Sequence, residues 1–207
     1  MTQGFVSKLA DVSLKARAAL GSRIRTLAAH QHAVLGHGTR FGPEGNVVNI
    51  GNNPSAIAVG RNGLIRGELL TFAHAGRVEI GDWFYLGPGS SVWSSNEAGV
   101  SIGSRVLISH GVHIHDTDSH PTDPQERFRQ IKDILTVGHP ISIKSIRSAP
   151  IRIGDDVWIG MGALIMKGVT IGDRAIVGAR SIIRQDVPAD GFVAPGAVHS
   201  SIDRTVR

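Results

Sequence analysis

Residues 151–188 read IRIGDDVWIGMGALIMKGVTIGDRAIVGARSIIRQDVP, and their aliphatic residues keep a period of six. Ile153, Ile159, Ile165, Ile171, Val177 and Ile183 fall at every sixth position. A second set in the same period, Val157, Ala163, Val169, Ala175, Ser181 and Val187, is small or apolar, and glycine follows the aliphatic residue at 154, 160, 172 and 178. Six is neither the 3.6 of a helix nor the plain 2 of a flat strand. A short strand followed by a sharp turn accounts for it: the aliphatic residue points inward and the glycine is expected to permit the bend at the corner. Three sextets then close one triangular coil, and stacked coils pair their strands in parallel around an aliphatic column.

Ile80, Leu86 and Val92 form an earlier set, Ile102, Ile108 and Ile114 another, and Val59, Ile65 and Thr71 a weaker one. The spacings from 80 to 102 and from 114 to 153 are not multiples of six, so loops must leave the coils at 93–101 and 115–150. Through this repeat, the chain resembles the hexapeptide-repeat acyltransferase family over roughly residues 59–196. The resemblance implies an all-β fold, a left-handed parallel β-helix; the handedness comes from it alone, since parallel crossovers are otherwise right-handed in ~98% of cases. The organisation expected is an N-terminal amphipathic helix and linker over 1–45, then a β-helix domain over 46–207 with a loop excursion at 116–150.

That excursion, DTDSHPTDPQERFRQIKDILTVGHPISIKSIRSAP, is rich in proline and charge and begins beside HIHDTDSHP, which holds three histidines and two aspartates. A long segment without its own repeat in a repeat protein is usually functional or disordered. Ile114 faces inward, so His113 and His115 flank it on the outer wall, His110 also points out, and DTDSHP belongs to the departing loop. Taken singly, each is as readily a solvated surface histidine. The run VSIGSRVLISHGVHIHDTDSHP resembles the segment of sugar O-acetyltransferases in which a coil ends in a loop carrying a His-Pro pair. The resemblance implies that His120 is the general base, removing the acceptor's proton as its oxygen attacks the thioester of acetyl-CoA, with neither metal nor acyl-enzyme. Imidazole is mostly neutral at pH 7 and suits the task. Asp118 or Asp116 would orient the ring, and His115 would help place the acceptor.

The stretch DVWIGMGALIMKGVTIGDRAIVGARSIIRQDVPADGFVAPG is the most specific part of the resemblance. It implies an acetyl-CoA site along the solenoid, in a groove between two subunits of a homotrimer, touched by Trp158, Met161, Ala179, Arg184 and Gln185. Small residues let pantetheine approach backbone donors, and an arginine can meet nucleotide phosphates; alternatively Ala179 is a turn residue and Arg184 a solvated charge. Two departures stand out. The chain ends APGAVHSSIDRTVR rather than in the family's usual turn and basic residue, and after Tyr85 it reads LGPGSSV where relatives present an acceptor-contacting asparagine. Arg127, Arg129, Lys132 and Asp133 of the excursion are candidates to close over an acceptor.

Composition narrows the class. The 207 residues hold no cysteine, which excludes disulfides and thiolate metal sites. No apolar run reaches the ~18 residues of a membrane span, and a cytoplasmic protein is expected. The formal charge of +5 is concentrated at one end, where Lys8, Lys15, Arg17, Arg23 and Arg25 face Asp11 alone within 1–29. With 5% aromatics this argues against a nucleic-acid partner. Leu9, Val12, Ala16, Leu20, Ile24 and Leu27 recur at helical spacing, so 8–29 should form an amphipathic helix. Its apolar stripe is expected to pack on the main domain or a sister subunit, with contact to an anionic membrane surface as the alternative.

The function expected is an acetyl-CoA-dependent O-acetyltransferase acting on a hydroxyl of a sugar or a surface polysaccharide or lipopolysaccharide precursor. N-acetylation of an amino sugar is a close variant. Two rivals stand beside it: a γ-carbonic-anhydrase-like zinc enzyme using His110, His115 and His74, and a solenoid scaffold without chemistry. No metal is expected in the first reading.

Overall fold

The computed structural model describes residues 3–72, 75–138, 145–194 and 197–199, with side chains from residue 16 to 194 of these. After the helix α1 (Gln3–Ala29) the chain winds into six coils over 34–49, 57–71, 78–94, 100–115, 151–165 and 170–183. Each coil contributes one short strand to each of three parallel sheets. Phe192–Ala194 extends the second sheet, and Ala197–His199 pairs with it antiparallel. The architecture is therefore a three-sided parallel β-helix carrying an N-terminal helix.

Register shows why six is the period. Ile80, Ile102, Ile153 and Ile171 pair in sequence down the first sheet, Leu86, Ile108, Ile159 and Val177 down the second, and Val92, Ile114, Ile165 and Ile183 down the third. All are buried, as are Val157, Ala163, Val169, Ala175, Ser181 and Val187 at the second position. One expected member is corrected. Val92 is stacked on Leu69, and Thr71 on Ser94, because the corner between Ile65 and Leu69 is two residues shorter than the one between Leu86 and Val92.

The glycines act differently from the bend expected. At Gly60, Gly81 and Gly103 a Cβ would lie 2.6–2.8 Å from a backbone carbon of the next coil, so these positions exclude side chains to let coils stack. The left-handed turns come further on, at Trp83, Arg105, Asp156 and Arg174, each with φ near +59° and an amide donating to the preceding coil, as Trp83 N–H does to the Arg61 carbonyl at 2.8 Å. Along that edge run the ion pairs Arg61–Asp82, Arg105–Asp156 and Arg174–Asp190.

Two boundaries also move. Coils begin at Val34 rather than after 45, since Leu35, Phe41 and Val47 already pair with Val59, Ile65 and Leu69. The helix starts at Gln3 and docks by a different face. Leu20, Ile24 and Leu27 are 60%, 59% and 69% exposed, whereas Ala29 is buried. Ser22 Oγ donates to the Phe41 carbonyl at 2.7 Å, and Phe41 N–H donates to Thr26 Oγ1 at 3.0 Å. The reason is the open end of the solenoid: Phe41 presents backbone groups that no earlier coil can satisfy, and helix hydroxyls satisfy them. Ala16 is exposed, and the side chains of Leu9 and Val12 lie outside the described residues.

The excursion holds a helix of its own, α2 (Pro124–Thr136). Asp123 caps it, accepting from the amides of Gln125 and Glu126 at 3.0 and 2.9 Å, with proline at the first helical position.

Candidate active site

The outer face of the third sheet carries the chemistry. Register lines up Glu68, Ser91, His113 and Leu164 along one row and Leu70, Trp93 and His115 along the next. A cavity of ≈ 810 Å³ opens over these rows, lined by both histidines, Ser91, Trp93, Glu68, Thr117, Asp118 and Ser119. The shortened corner at Gly67 faces the same cavity.

Ser91 Oγ bridges the two imidazoles, 2.8 Å from His113 Nδ1 and 3.1 Å from His115 Nε2. His115 also stacks on Trp93, centroids 4.5 Å apart and planes 7° from parallel. Burial, with His113 beside it, pushes the His115 pKa down to about 4. It is therefore neutral at pH 7 but too weak a base for efficient proton removal. Trp93 Nε1 donates to Glu68 Oε1 at 2.8 Å, and Asn46 Nδ2 donates to Glu68 Oε2 at 3.0 Å. Ser91, Trp93 and Glu68 were not singled out from the sequence. Their only signal is register, because Ser91 and His113 lie 22 residues apart, one coil's length, and meet only across strands.

The two aspartates have separate tasks. Asp116 is fully buried; Ser94 Oγ donates to it at 2.6 Å, Ser95 N–H at 2.8 Å and Asn96 N–H at 3.2 Å. Burial pushes its carboxyl up against the pull of these donors. It fastens the departing loop to the preceding coil, and its carboxylate is spent there. Asp118 pairs with Lys167 and, at 3.3 Å, with Arg147. The Lys167 bond, with Arg147 behind it, holds the Asp118 carboxyl below the usual carboxylate range.

His120 is exposed, next to Ser119 of the cavity wall. Its Nδ1 lies 2.9 Å from Oε1 of Gln130, a buried residue of α2, so the ring's partner is an amide and neither aspartate carboxylate. Ser119 holds φ at +64°, a conformation uncommon outside glycine that turns the chain between Asp118 and His120. Arg127 donates to the carbonyls of Pro121 and Thr122, and Lys132 lies over the Phe128 ring, so these cations brace the excursion.

The donor-side residues divide between two edges of the prism. Pro88, His110, Met161 and Ala179 stack along the edge between the second and third sheets. It is tied by Gly111 N–H to the Pro88 carbonyl, Gly162 N–H to His110 and Arg180 N–H to Met161 at 2.8–3.0 Å. Met161 and Ala179 are exposed there, and Trp158, half-exposed, lies beside them on the second sheet. Arg184 and Gln185 are exposed beyond Ile183, on the next edge round. Among the described residues no three histidine or carboxylate side chains are gathered as a metal set. His110 is on the edge and His115 on the face; His74 lies outside the described residues, as do 195–196 and 200–207 of the C-terminal stretch.

Comparison with known proteins agrees with this architecture. The model of the family described as bacterial transferase hexapeptide (six repeats) matches residues 150–185. Galactoside O-acetyltransferase of Escherichia coli is 32% identical over 123 residues, 59% of this chain and 52% of that one. The first curated relatives are matched over 29% to 54% of their own length. AntD, an N-acyltransferase from Bacillus cereus in complex with dTDP and 3-hydroxybutyryl-CoA, shares the fold at 17% identity, with 86% of each chain covered and a TM-score of 0.61. A hexapeptide-repeat-containing acetyltransferase from Vibrio cholerae, complexed with acetyl coenzyme A, shares it at 23% identity, covering 86% of this chain and 74% of that one, with a TM-score of 0.52. Repeat, coil and matched segment agree, and the chain is similar to hexapeptide-repeat acetyltransferases, with the six-residue repeat of that family matched over residues 150–185.

Proposed function

We propose that the protein is an acetyl-CoA-dependent O-acetyltransferase whose acceptor is a hydroxyl of a sugar or of a surface polysaccharide precursor, with His120 as general base. The observation that carries the reading is the juxtaposition of a cavity bearing hydroxyl, imidazole, indole and carboxylate groups with a neighbouring histidine whose Nδ1 is engaged by Gln130. A polyhydroxyl ring suits such a wall, which offers both donors and acceptors together with apolar aromatic surface. Glu68, Ser91 and His113 would hold the acceptor, and His115 with Trp93 would shape its bed.

In the step itself, His120 Nε2 takes the proton of the attacking hydroxyl as that oxygen bonds to the thioester carbonyl carbon. The C–S bond then breaks, the ester is released and the imidazolium returns its proton to the departing thiolate. The donor would lie along the edge of Met161 and Ala179 beside Trp158, with Arg184 and Gln185 towards its nucleotide. Left-handed winding and a homotrimer with sites between subunits belong to the same proposal. Supporting the assembly is an outward apolar row on the second sheet, Leu64, Tyr85, Leu107, Trp158, Ile176 and Phe192, in register. In such an assembly a neighbouring groove can bring the thioester to His120.

N-acetylation of an amino sugar has one observation in its favour. Glu68 faces the cavity without a cationic partner among the described residues, and a carboxylate there suits an ammonium. The experiment is thiol release from acetyl-CoA by the purified protein against neutral hexosides and amino sugars. Release with neutral hexosides is expected; release with amino sugars alone would select the second reading, and none with any sugar would sink both.

A further inference from the structure

We propose that Gln130 is a positioning residue that fixes the tautomer of His120, and that α2 is inserted into the solenoid to deliver it; this rests on the reading of His120 as the base. Gln130 is the one buried residue of the thirteen in α2, at 6% exposure. Of the helix's apolar side chains, Phe128, Ile131 and Leu135 stay in solvent, at 56%, 48% and 79%, and Ile134 is half-buried. A helix docked by hydrophobic packing shows the opposite distribution. Here two polar side chains three positions apart face the His-Pro turn: Arg127 donates to the Pro121 and Thr122 carbonyls at 2.8 and 3.1 Å, and Gln130 meets the histidine.

The amide's orientation follows from its second contact. Gln130 Nε2 donates to the Ser119 carbonyl at 3.5 Å, and a carbonyl can only accept, so Oε1 is the atom turned to the imidazole. Oε1 also only accepts, so His120 Nδ1 carries the hydrogen of the 2.9 Å bond. The neutral ring then keeps its lone pair at Nε2, the nitrogen left free to take a proton. The backbone around the ring is equally defined: His120 N–H donates to the Asp118 carbonyl at 2.8 Å, and Ser119 N–H to Thr117 Oγ1 at 3.2 Å. Both aspartate carboxylates are bonded elsewhere, which leaves the amide as the ring's orienting partner. An uncharged partner fixes the tautomer without the stabilisation of imidazolium that a carboxylate would bring, so the ring can give its proton up to the thiolate.

The test is ¹⁵N NMR of the His120 ring in the 207-residue chain, with acetyl transfer measured beside it. In the wild type the neutral ring is expected to be protonated at Nδ1. In Gln130→Ala both tautomers are expected and kcat should fall roughly tenfold or more, with KM for acetyl-CoA unchanged. In Gln130→Glu, whose carboxylate accepts the same hydrogen, the Nδ1–H tautomer and most of kcat should return. A wild-type ring protonated at Nε2 overturns the proposal, as does Gln130→Ala with tautomer and kcat both unchanged. The wild-type spectrum decides even where Gln130→Ala unfolds α2. Full transfer by His120→Ala would instead sink the base assignment, leaving the tautomer measurement to stand by itself.

Discussion

Stacked on Trp93 and bonded to Ser91, His115 stays neutral in the fold down to about pH 4, against an ordinary value of 6.5. The unfolded chain therefore binds more protons than the folded one between these two values. Stability supplied by the neutral ring is complete above pH 6.5 and is lost as pH falls towards 4. The shift corresponds to roughly 2 kcal/mol once the partly open side of the ring is allowed for. Urea unfolding at pH 7.5 and 4.5 should show this loss in the wild type and a smaller one in His115→Phe, which keeps the stack without titrating. Equal losses in the two proteins would place the pH sensitivity elsewhere. His113 shares the cavity with His115, Ser91 and Glu68, yet nothing in HIHDTDSHP alone distinguishes its two wall histidines from a surface cluster. Outward positions on a coil carry no periodic constraint, so partners 22 and 25 residues apart become visible only when the coils are stacked.

Coils and helices were legible to different degrees, for physical reasons. Inward positions each admit one aliphatic side chain per turn of the period, so Ile102, Ile108 and Ile114 are unambiguous from sequence, and all three are buried. Leu69 was missed in favour of Thr71 because a corner two residues short shifts the phase without disturbing the spacing on either side. The docked face of α1 was missed because its anchor is polar: Ser22 and Thr26 satisfy Phe41, while Leu20, Ile24 and Leu27 remain exposed. The glycine rows were seen but assigned to bending. Their role in stacking gives a direct expectation. A Cβ on Gly103 would lie 2.7 Å from the Gly154 carbonyl carbon and 2.8 Å from the Asp155 nitrogen, and neither backbone atom can yield cheaply. Gly103→Ala should cost about 2 kcal/mol or more and lower the thermal midpoint by several degrees. Thermal unfolding followed by circular dichroism checks it, and an unchanged midpoint would return the glycine to a turn role.

At the scale of the whole molecule, the β-helix is a rigid ruler that sets three outer surfaces in fixed register. The third sheet presents the cavity, the edge beside it presents Met161 and Ala179, and the second sheet presents the apolar row centred on Leu107 and Trp158. The excursion at 116–150 leaves the prism where the cavity lies and returns with α2 holding His120. The existence of this excursion was plain from the broken period, whereas the helix capped by Asp123 within it was not expected. What it does could not be read from sequence, since Gln130 and His120 meet through the fold of the excursion alone. The proposed chemistry turns on His120 as the base of a direct acetyl transfer. The measurement that meets it most squarely is single-turnover transfer from labelled acetyl-CoA to an accepted hexoside by the wild type and His120→Ala. With His120 as the base, the rate in the variant falls by about 10²- to 10⁴-fold with acetyl-CoA affinity unchanged; equal rates in the two proteins would contradict that role.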